Sequence, residues 1–202
     1  MSLIITIGRQ FGSGGRELGK RLAETLGIGY FDREVISEIA KQSGMAEGYI
    51  DSFVENPVQY YPITFGRTFT SQIPVQQDTE VYRAQSDAIR ALAGRGDCVI
   101  IGRCADYALA DFPNVVTVFI CADEDVKLKT LQERYQVTES KAKDIMIKTD
   151  KKRASYYNYY SSKHWGDCKS YDLCINSSKV GMDGAIRIIR AFAEEKQAYA
   201  KK

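Results

Sequence analysis

The segment at residues 4–18 constrains the fold of this chain more than any other part of the sequence. A β-branched run at residues 4–7 leads into a glycine-rich stretch, and an amphipathic pattern with Leu18 and Leu22 on one face follows directly. A buried strand that enters a helix through a glycine-rich turn is typical of a P-loop, which binds polyphosphate with backbone N–H groups at the helix N-terminus. The segment therefore predicts an α/β nucleotide-binding fold. The alternative is an ordinary strand-to-helix turn.

The same segment departs from the P-loop pattern G-x-x-x-x-G-K-[ST]. With Gly14 aligned to the last glycine, Arg9 stands at the first glycine, Gly15 at the lysine and Arg16 at the serine or threonine. The pattern's lysine reaches the phosphates and its hydroxyl binds Mg²⁺, so both functions lose their usual residue. We expect Arg16 to supply positive charge, with Arg9 as a second candidate, and we predict no protein ligand set for a metal. The expected phosphate-binding residues are Gly12, Ser13, Gly14, Gly15, Arg16 and Glu17.

The composition fits one domain over residues 1–202 and argues against several functional classes. The hydrophobic fraction of 44% supports a packed core, and the formal net charge of +2 gives no reason to expect nucleic-acid binding. No apolar run approaches the roughly 20 residues that span a bilayer. Five cysteines without C-x-x-C spacing and a single histidine predict neither a disulfide framework nor a zinc site. Reduced thiols fit a cytoplasmic protein.

Short apolar runs alternate with amphipathic stretches along most of the chain. We predict strands at residues 3–7, 28–31, 98–101, 115–121 and 173–176, and helices at 16–26, 33–41, 80–93, 106–110, 123–135, 138–160 and 182–196. This alternation predicts a parallel sheet with helices on both sides, a three-layer α/β fold. Residues 43–79 differ, because they hold three of the four prolines and many aromatics. They are expected to form an inserted lobe or a mobile flap.

Two charged residues directly follow predicted strands, where open α/β sheets bind their ligands. Arg103 follows the strand at 98–101, and the alternative for it is an exposed arginine that pairs with Asp106 or Asp97. Asp32 follows the strand at 28–31, and it is equally well explained as the N-cap of the next helix. A basic run at residues 151–153 is either part of a phosphate-binding lid or a solvated helix face.

Several motifs resemble the cytidylate kinases of bacteria and archaea. Gly12-Ser13-Gly14 and the LAETL run at residues 22–26 match the start of that family, and VIIGR at 99–103 and YDLCINSS at 171–178 match two later segments. The stretches at 150–157 and 163–167 resemble a cytidylate kinase-like subfamily with the same lysine-less turn. The resemblance implies the P-loop nucleoside monophosphate kinase fold, ATP with Mg²⁺ as donor, and CMP or dCMP as the favoured acceptor.

The resemblance also implies roles for individual residues. Arg103 would hold the phosphate of the acceptor and Asp32 would lie beside it, while residues 43–79 would be the acceptor-binding insertion. The family's acceptor-site arginine has no counterpart at residues 36–38, so the choice of CMP stays open. Residues 123–167 would form a lid. Its candidate cations are Arg134, Lys151, Lys152, Arg153 and Lys163, and the candidate catalytic residues are Arg16, Lys152 and Arg153.

We therefore expect a bacterial, cytoplasmic, ATP-dependent phosphotransferase that acts on a nucleoside monophosphate, as a monomer or a homodimer, without nucleic-acid or membrane partners. Two alternatives remain. The missing lysine and hydroxyl fit a catalytically silent nucleotide-binding module that signals through a partner. The aromatic segment at residues 53–69 fits a kinase with a different acceptor.

Overall fold

A five-stranded parallel sheet forms the centre of the molecule. The computed structural model describes residues 2–44, 47, 60–62, 72–74 and 79–200. The strands of the sheet are β1 Ile4–Arg9, β2 Gly29–Phe31, β5 Cys98–Ile101, β6 Val115–Cys121 and β7 Leu173–Asn176. Their order is β2-β5-β1-β6-β7, and every neighbouring pair is parallel. All five predicted strands are thereby confirmed, with small shifts at their ends.

Helices cover both faces of this sheet. They are α1 Gly15–Leu26, α2 Glu34–Ser43, α3 Thr79–Ala93, α4 Ala105–Ala108, α5 Glu124–Tyr135, α6 Glu139–Ser161 and α7 Ser177–Tyr199. Helices α1 and α7 pack on the face that carries Ile5, Ile7 and Val118. Helices α2, α3 and α4 pack on the face that carries Ile4 and Ile100. The predicted three-layer α/β architecture is confirmed.

The central strands are buried on both faces, which explains their continuous apolar runs. Ile4 of β1 pairs in register with Cys98 on one side and with Val115 on the other. Because all five strands run in one direction, their carboxyl ends meet at one edge of the sheet. The turn after β1, residues 10–14, lies at this edge together with the turn after β5. We call residues 10–14 the glycine turn.

Helices α5 and α6 form a pair that crosses this edge. Leu131 of α5 packs with Ala142 and Met146 of α6, and Phe11 of the glycine turn packs against this cluster. Two tyrosines in the carboxyl-terminal half of α6, Tyr156 and Tyr157, pack in a separate buried cluster on the sheet. Helix α6 therefore contacts both the glycine turn and the sheet.

The start of α7 is the boundary that differs most from the sequence predictions. Helix α7 starts at Ser177 rather than residue 182, because the Asn176 side chain accepts a hydrogen bond from the Ser178 backbone N–H and caps the helix there. The backbone leaves helical geometry at Gly181, with φ of 67°, so the regular helix resumes at Met182. Helix α2 starts at Glu34.

The predicted insertion at residues 43–79 lies largely outside the described residues. Its described parts include the short strands β3 Tyr60–Pro62 and β4 Gln72–Pro74, which pair antiparallel in a separate two-stranded sheet. Its role in acceptor binding stays a prediction. All five cysteines are free thiols. Among the described helices, none is both long enough and apolar enough to cross a bilayer.

Candidate active site

The glycine turn has the backbone geometry of a loop that wraps an anion. Gly12 and Gly14 have φ angles of 84° and 76°, which side chains other than glycine rarely adopt. Ser13 is buried between them, and its Oγ donates to the carbonyl oxygen of Gln10 at 2.9 Å. Ser177 Oγ donates to the Ser13 carbonyl oxygen at 2.9 Å, which ties the turn to α7. The turn leads directly into α1, so the helix N-terminus opens beside it.

Helix α5 supports the turn and brings a buried cation to it. A Cβ on Gly12 would lie 3.1 Å from the carbonyl oxygen of Lys127 and 3.2 Å from Leu131 Cγ. Lys127 is 8% exposed, and its Nζ donates to Gln10 Oε1 at 3.0 Å. Sequence reasoning missed Lys127, since an isolated lysine on a charged helix carries no signal of burial.

Arg16 and Asp32 form an ion pair rather than acting separately. Arg16 Nε lies 2.5 Å from Asp32 Oδ2, with the arginine side chain 56% exposed and the aspartate side chain 8% exposed. Asp32 therefore is not the N-cap of α2, a position held by Arg33. The Asp32 carboxylate contacts Arg16 instead, which corrects the helix-cap alternative. The pair links the start of α1 to the end of β2.

A cavity of about 520 Å³ opens beside the glycine turn, over the carboxyl ends of β1 and β5. Helix α6 covers it from the other side. Its wall carries the positively charged residues Arg9, Arg103, Lys152 and Arg153. The sequence predicts all four as candidate phosphate-binding cations, with Arg9 as the second candidate after Arg16, and the structure brings them to one cavity. Arg16 is not among the described residues that line it.

Among the described residues that line this cavity, the charged side chains are four cations and one carboxylate, Asp106. Burial and the neighbouring guanidinium of Arg153 lower the pKa of Arg9 to about 9, although Asp32 opposes the shift. Burial also lowers the pKa of Arg153. Both side chains stay charged at neutral pH, so each pays an electrostatic penalty that a bound anion would relieve. The cavity is thus suited to phosphate.

Arg103 reaches the cavity from a strained turn. Its φ is 61°, a left-handed conformation that costs roughly 1–2 kcal/mol for a residue with a Cβ. Gln85 of α3 holds this turn, because its Nε2 donates to the Arg103 carbonyl oxygen at 2.9 Å and to Tyr156 Oη at 2.8 Å. Asp97 is one of the two aspartates that the sequence offered as partners of Arg103, and its carboxylate accepts a hydrogen bond from the Leu3 backbone N–H. Backbone strain of this kind clusters at functional sites.

Arg153 and Asp150 join α6 to the glycine turn. Arg153 Nη1 donates to the carbonyl oxygen of Arg9 at 3.0 Å, and its guanidinium lies 5.3 Å from the centre of the Phe11 ring. Asp150 Oδ1 accepts the Phe11 backbone N–H at 2.7 Å. A carboxylate of α6 therefore occupies one N–H of the glycine turn. Sequence reasoning placed Arg153 here as a lid cation but missed Asp150.

The contact of Asp150 with the glycine turn predicts that the free energy of unfolding depends on pH. Burial raises the pKa of Asp150 above its ordinary 3.8, although the Phe11 N–H, Arg153, Lys127 and Arg9 all oppose the shift. The folded protein then binds more protons than the unfolded chain just above pH 3.8, so the stability due to Asp150 is present at low pH and lost as pH rises. We expect the free energy of unfolding of wild type to fall relative to that of Asp150→Asn as the pH rises from about 4 towards neutral. Urea denaturation across this range measures it, and parallel curves would contradict the expectation.

Aromatic side chains close the far end of the cavity. Tyr157 Oη donates to Asp106 Oδ2 at 2.7 Å, and burial raises the pKa of Asp106. Trp165 meets the Phe119 ring edge-on with a centroid distance of 5.1 Å, and Tyr171 packs on the same ring. Tyr156 and Tyr157 belong to this packed cluster, which agrees with a packing role for the tyrosines of α6. Tyr159 is 62% exposed.

The other predicted lid cations are not seen in the described wall of the cavity. Arg134, Lys151 and Lys163 are exposed, and none of them is among the described residues that line the cavity. Lys163 is close enough to Asp106 to oppose the rise in the pKa of that carboxyl. Glu17 is exposed in the first turn of α1.

Metal ligands are sparse in the described part of the chain. Within residues 2–44 and 79–200, no group of three or more histidine, cysteine, aspartate or glutamate side chains could hold a metal ion. Ser13 Oγ already donates to a backbone carbonyl, and Asp32 is paired with Arg16. Mg²⁺ commonly keeps several waters and binds through substrate phosphates with one or two carboxylates. The residues present fit a Mg²⁺ ion that arrives with a nucleotide rather than a resident metal.

Solved structures of two kinases share this architecture. Shikimate kinase from Bacteroides thetaiotaomicron matches with a TM-score of 0.55 at 16% identity, covering 96% of this chain and 99% of that one. A gluconokinase from Sinorhizobium meliloti matches with a TM-score of 0.58 at 14% identity, covering 100% and 98%. The chain has the fold of the P-loop kinases.

Residues 4–179 match the cytidylate kinase-like family, and the chain belongs to this family. Cytidylate kinase from Methanococcus vannielii is 26% identical over 190 residues, which cover 93% of this chain and 97% of that protein. A crystal structure of an uncharacterized protein from Eubacterium ventriosum is 34% identical, with a TM-score of 0.73 and coverage of 95% and 98%. The predicted resemblance is confirmed.

Proposed function

We propose that this protein is an ATP-dependent phosphotransferase that transfers a phosphoryl group to a nucleoside monophosphate, with CMP or dCMP as the favoured acceptor. One observation carries the proposal. Arg9, Arg103 and Arg153 converge on a single cavity beside the glycine turn, at the carboxyl ends of β1 and β5. Membership of the cytidylate kinase-like family and similarity to archaeal proteins named cytidylate kinase support it.

Each part of the site has a task in this reaction. The glycine turn and the first turn of α1, from Gly12 to Glu17, would hold the donor phosphates through backbone N–H groups. Arg103, with Asp32 nearby, would hold the phosphate of the acceptor. Arg153 and Lys152 of α6 would neutralise the charge on the transferred group, since phosphoryl transfer depends mainly on positioning and electrostatics. Mg²⁺ bound to ATP would neutralise part of the phosphate charge.

Helix α6 is expected to move during the reaction. In the structure, the Asp150 carboxylate takes the Phe11 N–H, a donor that lies in the glycine turn. A negative phosphate close to the turn would repel this carboxylate and compete for the same N–H. We therefore infer that α5 and α6 act as the lid, within residues 123–167, and that nucleotide binding shifts α6.

A coupled assay of ADP formation tests the proposal. Wild-type protein is supplied with ATP, Mg²⁺ and each common nucleoside monophosphate in turn. Lys151→Ala, which changes an exposed lysine of α6, is assayed beside wild type as a control. ADP formation that requires a nucleoside monophosphate, and is fastest with CMP or dCMP, is the expected result. Turnover with none of the acceptors would overturn the proposal.

A silent nucleotide-binding module is the second candidate. The exchange of the P-loop lysine for Gly15 and the engagement of Arg16 by Asp32 favour it. It predicts that ATP binds, measured by calorimetry, while the coupled assay shows no turnover.

A kinase with a different acceptor is the third candidate. If the protein turns over another acceptor, substitutions in residues 53–69 should change the acceptor profile. The oligomeric state and cytoplasmic location stay predictions.

A further inference from the structure

Positions 9 and 15 show a reciprocal exchange against the P-loop pattern. The pattern has glycine at the first position and lysine after the last glycine, whereas this chain has Arg9 at the first position and Gly15 after the last glycine. The cation has moved from the start of α1 to the end of β1. In the structure these two positions lie against each other.

The side chain of Arg9 fills the space that a residue at position 15 would need. A Cβ on Gly15 would lie 2.6 Å from the Cβ and 3.3 Å from the Cγ of Arg9. Real Cβ atoms essentially never approach other carbon atoms that closely, so a lysine at position 15 requires Arg9 to move. The stem of Arg9 and a side chain at position 15 therefore compete for one place.

The other end of Arg9 is fitted to the turn after β5. A Cβ on Gly102 would overlap Nη1 of Arg9, so the guanidinium lies directly against that turn. Gly102 has a φ of 65° and precedes Arg103. Two glycines thus leave room for Arg9. Gly15 lies against the aliphatic part of its side chain, and Gly102 lies against its guanidinium. The guanidinium lies in the wall of the cavity, between the glycine turn and Arg103.

We propose that Arg9 is the cation that binds the phosphoryl group at the transfer end of the donor, in place of the P-loop lysine. The proposal rests on the proposed function and deepens it. The guanidinium offers a fork of N–H donors that binds phosphate through two bonds, which a single ammonium group does not. Arg153 fixes the backbone of this residue by donating to its carbonyl oxygen at 3.0 Å. Arg16, the candidate from sequence, instead pairs with Asp32 on the outer side.

The electrostatic setting of Arg9 supports this role. Arg9 is half-buried, and its charge lies close enough to Arg153 and Arg103 to be repelled by both, with Asp32 as the opposing carboxylate. A structural arginine is ordinarily matched by acceptors in the folded protein. Arg9 meets two other guanidinium groups across a cavity, so an incoming phosphate gains from all three.

Binding of tripolyphosphate and of ATP, measured by calorimetry, tests the charge of Arg9. We expect Arg9→Gln to weaken both affinities by about 10- to 100-fold, because it keeps part of the stem and removes the guanidinium. Arg16→Ala is the rival variant and is expected to weaken them less than Arg9→Gln does, since the Arg16 guanidinium is engaged by Asp32 and is not among the described residues that line the cavity. Affinities of Arg9→Gln within about twofold of wild type, or a larger loss in Arg16→Ala, would overturn the proposal.

A second experiment places a lysine at position 15 and tests whether its side chain competes with Arg9 for space. We expect Gly15→Lys to bind tripolyphosphate no better than wild type, because the new side chain meets the stem of Arg9. The double variant Arg9→Gly/Gly15→Lys should bind at least about fivefold more tightly than Arg9→Gly alone. A double variant no better than Arg9→Gly, with a folded circular-dichroism spectrum, would overturn the steric exchange. If Gly15→Lys does not fold, Arg9→Gln decides alone.

These measurements separate the proposal from the proposed function. Tripolyphosphate binding requires no acceptor and no transfer. A wild-type protein that binds it through Arg9 but never turns over a nucleoside monophosphate would contradict the phosphotransferase function and leave the role of Arg9 intact. A wild-type protein that binds neither tripolyphosphate nor ATP would overturn the role of Arg9.

Discussion

Replacing Arg153 with alanine is expected to lower kcat by about 10²–10³-fold, the range seen when a preorganised electrostatic contact to a transition state is removed. Arg153 lies in the wall of the cavity with its side chain 26% exposed. It is held by the Arg9 carbonyl oxygen and the ring of Phe11. Its charge is therefore fixed in place before substrate arrives. Because alanine is the best helix former, α6 should stay intact in the variant.

The expected loss lies in kcat rather than in the binding of ATP. Arg153 comes from α6, whereas the glycine turn holds the donor phosphates in the proposed function. An interaction made mainly in the transition state lowers kcat and kcat/KM together. Steady-state kinetics with CMP and ATP measures both constants, and Arg153→Lys tests whether charge alone suffices. We expect Arg153→Lys to recover only part of the rate, since lysine lacks the planar fork of arginine.

Two controls separate catalysis from structure in this experiment. Lys151→Ala removes an exposed charge two residues away and should leave kcat within about twofold of wild type. Asp150→Asn alters the neighbouring contact to Phe11 without removing a cation from the cavity. A loss of kcat in Arg153→Ala no larger than in Lys151→Ala would show that Arg153 does not act on the transferred group.

The architecture could be predicted from the sequence because its signals are local. Apolar runs such as residues 98–101 and 115–121 are long enough to indicate buried strands, and their alternation with amphipathic stretches indicates a parallel sheet. Arg103 could be placed at the carboxyl edge, since it directly follows a strand. The start of α7 was missed because the cap by Asn176 is a weak signal beside Gly181, which suggested a later start.

The contacts within the site could be predicted only in part, because they join residues distant in sequence. Asp150 and Phe11 are 139 positions apart, and no periodicity relates them. Asp32 fits a helix cap by its local sequence, yet it pairs with Arg16, which packing of α1 on the sheet brings near. The exchange of Arg9 and Gly15 is visible as two departures from a motif. Only the geometry shows that a side chain at position 15 would meet Arg9.

Replacing Arg103 with asparagine is expected to raise the KM for the acceptor and to lower kcat/KM by about 10²-fold, while the affinity for ATP stays within about twofold. Asparagine is chosen because it tolerates left-handed backbone better than other non-glycine residues, and Arg103 has a φ of 61°. The variant should therefore keep the turn that Gln85 holds through the Arg103 carbonyl oxygen. What it loses is the guanidinium in the cavity.

The split between acceptor and donor identifies which phosphate Arg103 binds. Initial rates are measured with CMP varied at saturating ATP and then with ATP varied at saturating CMP, and ATP affinity is measured by calorimetry. Arg187→Asn, at an exposed position of α7 far from the cavity, is the matched control and should leave every constant within about twofold. A variant of Arg103 that weakens ATP and leaves the KM for CMP unchanged would assign Arg103 to the donor. Because Arg9 is already proposed to hold the donor at its transfer end, that result would place both arginines on one substrate and leave the acceptor to be bound by other residues.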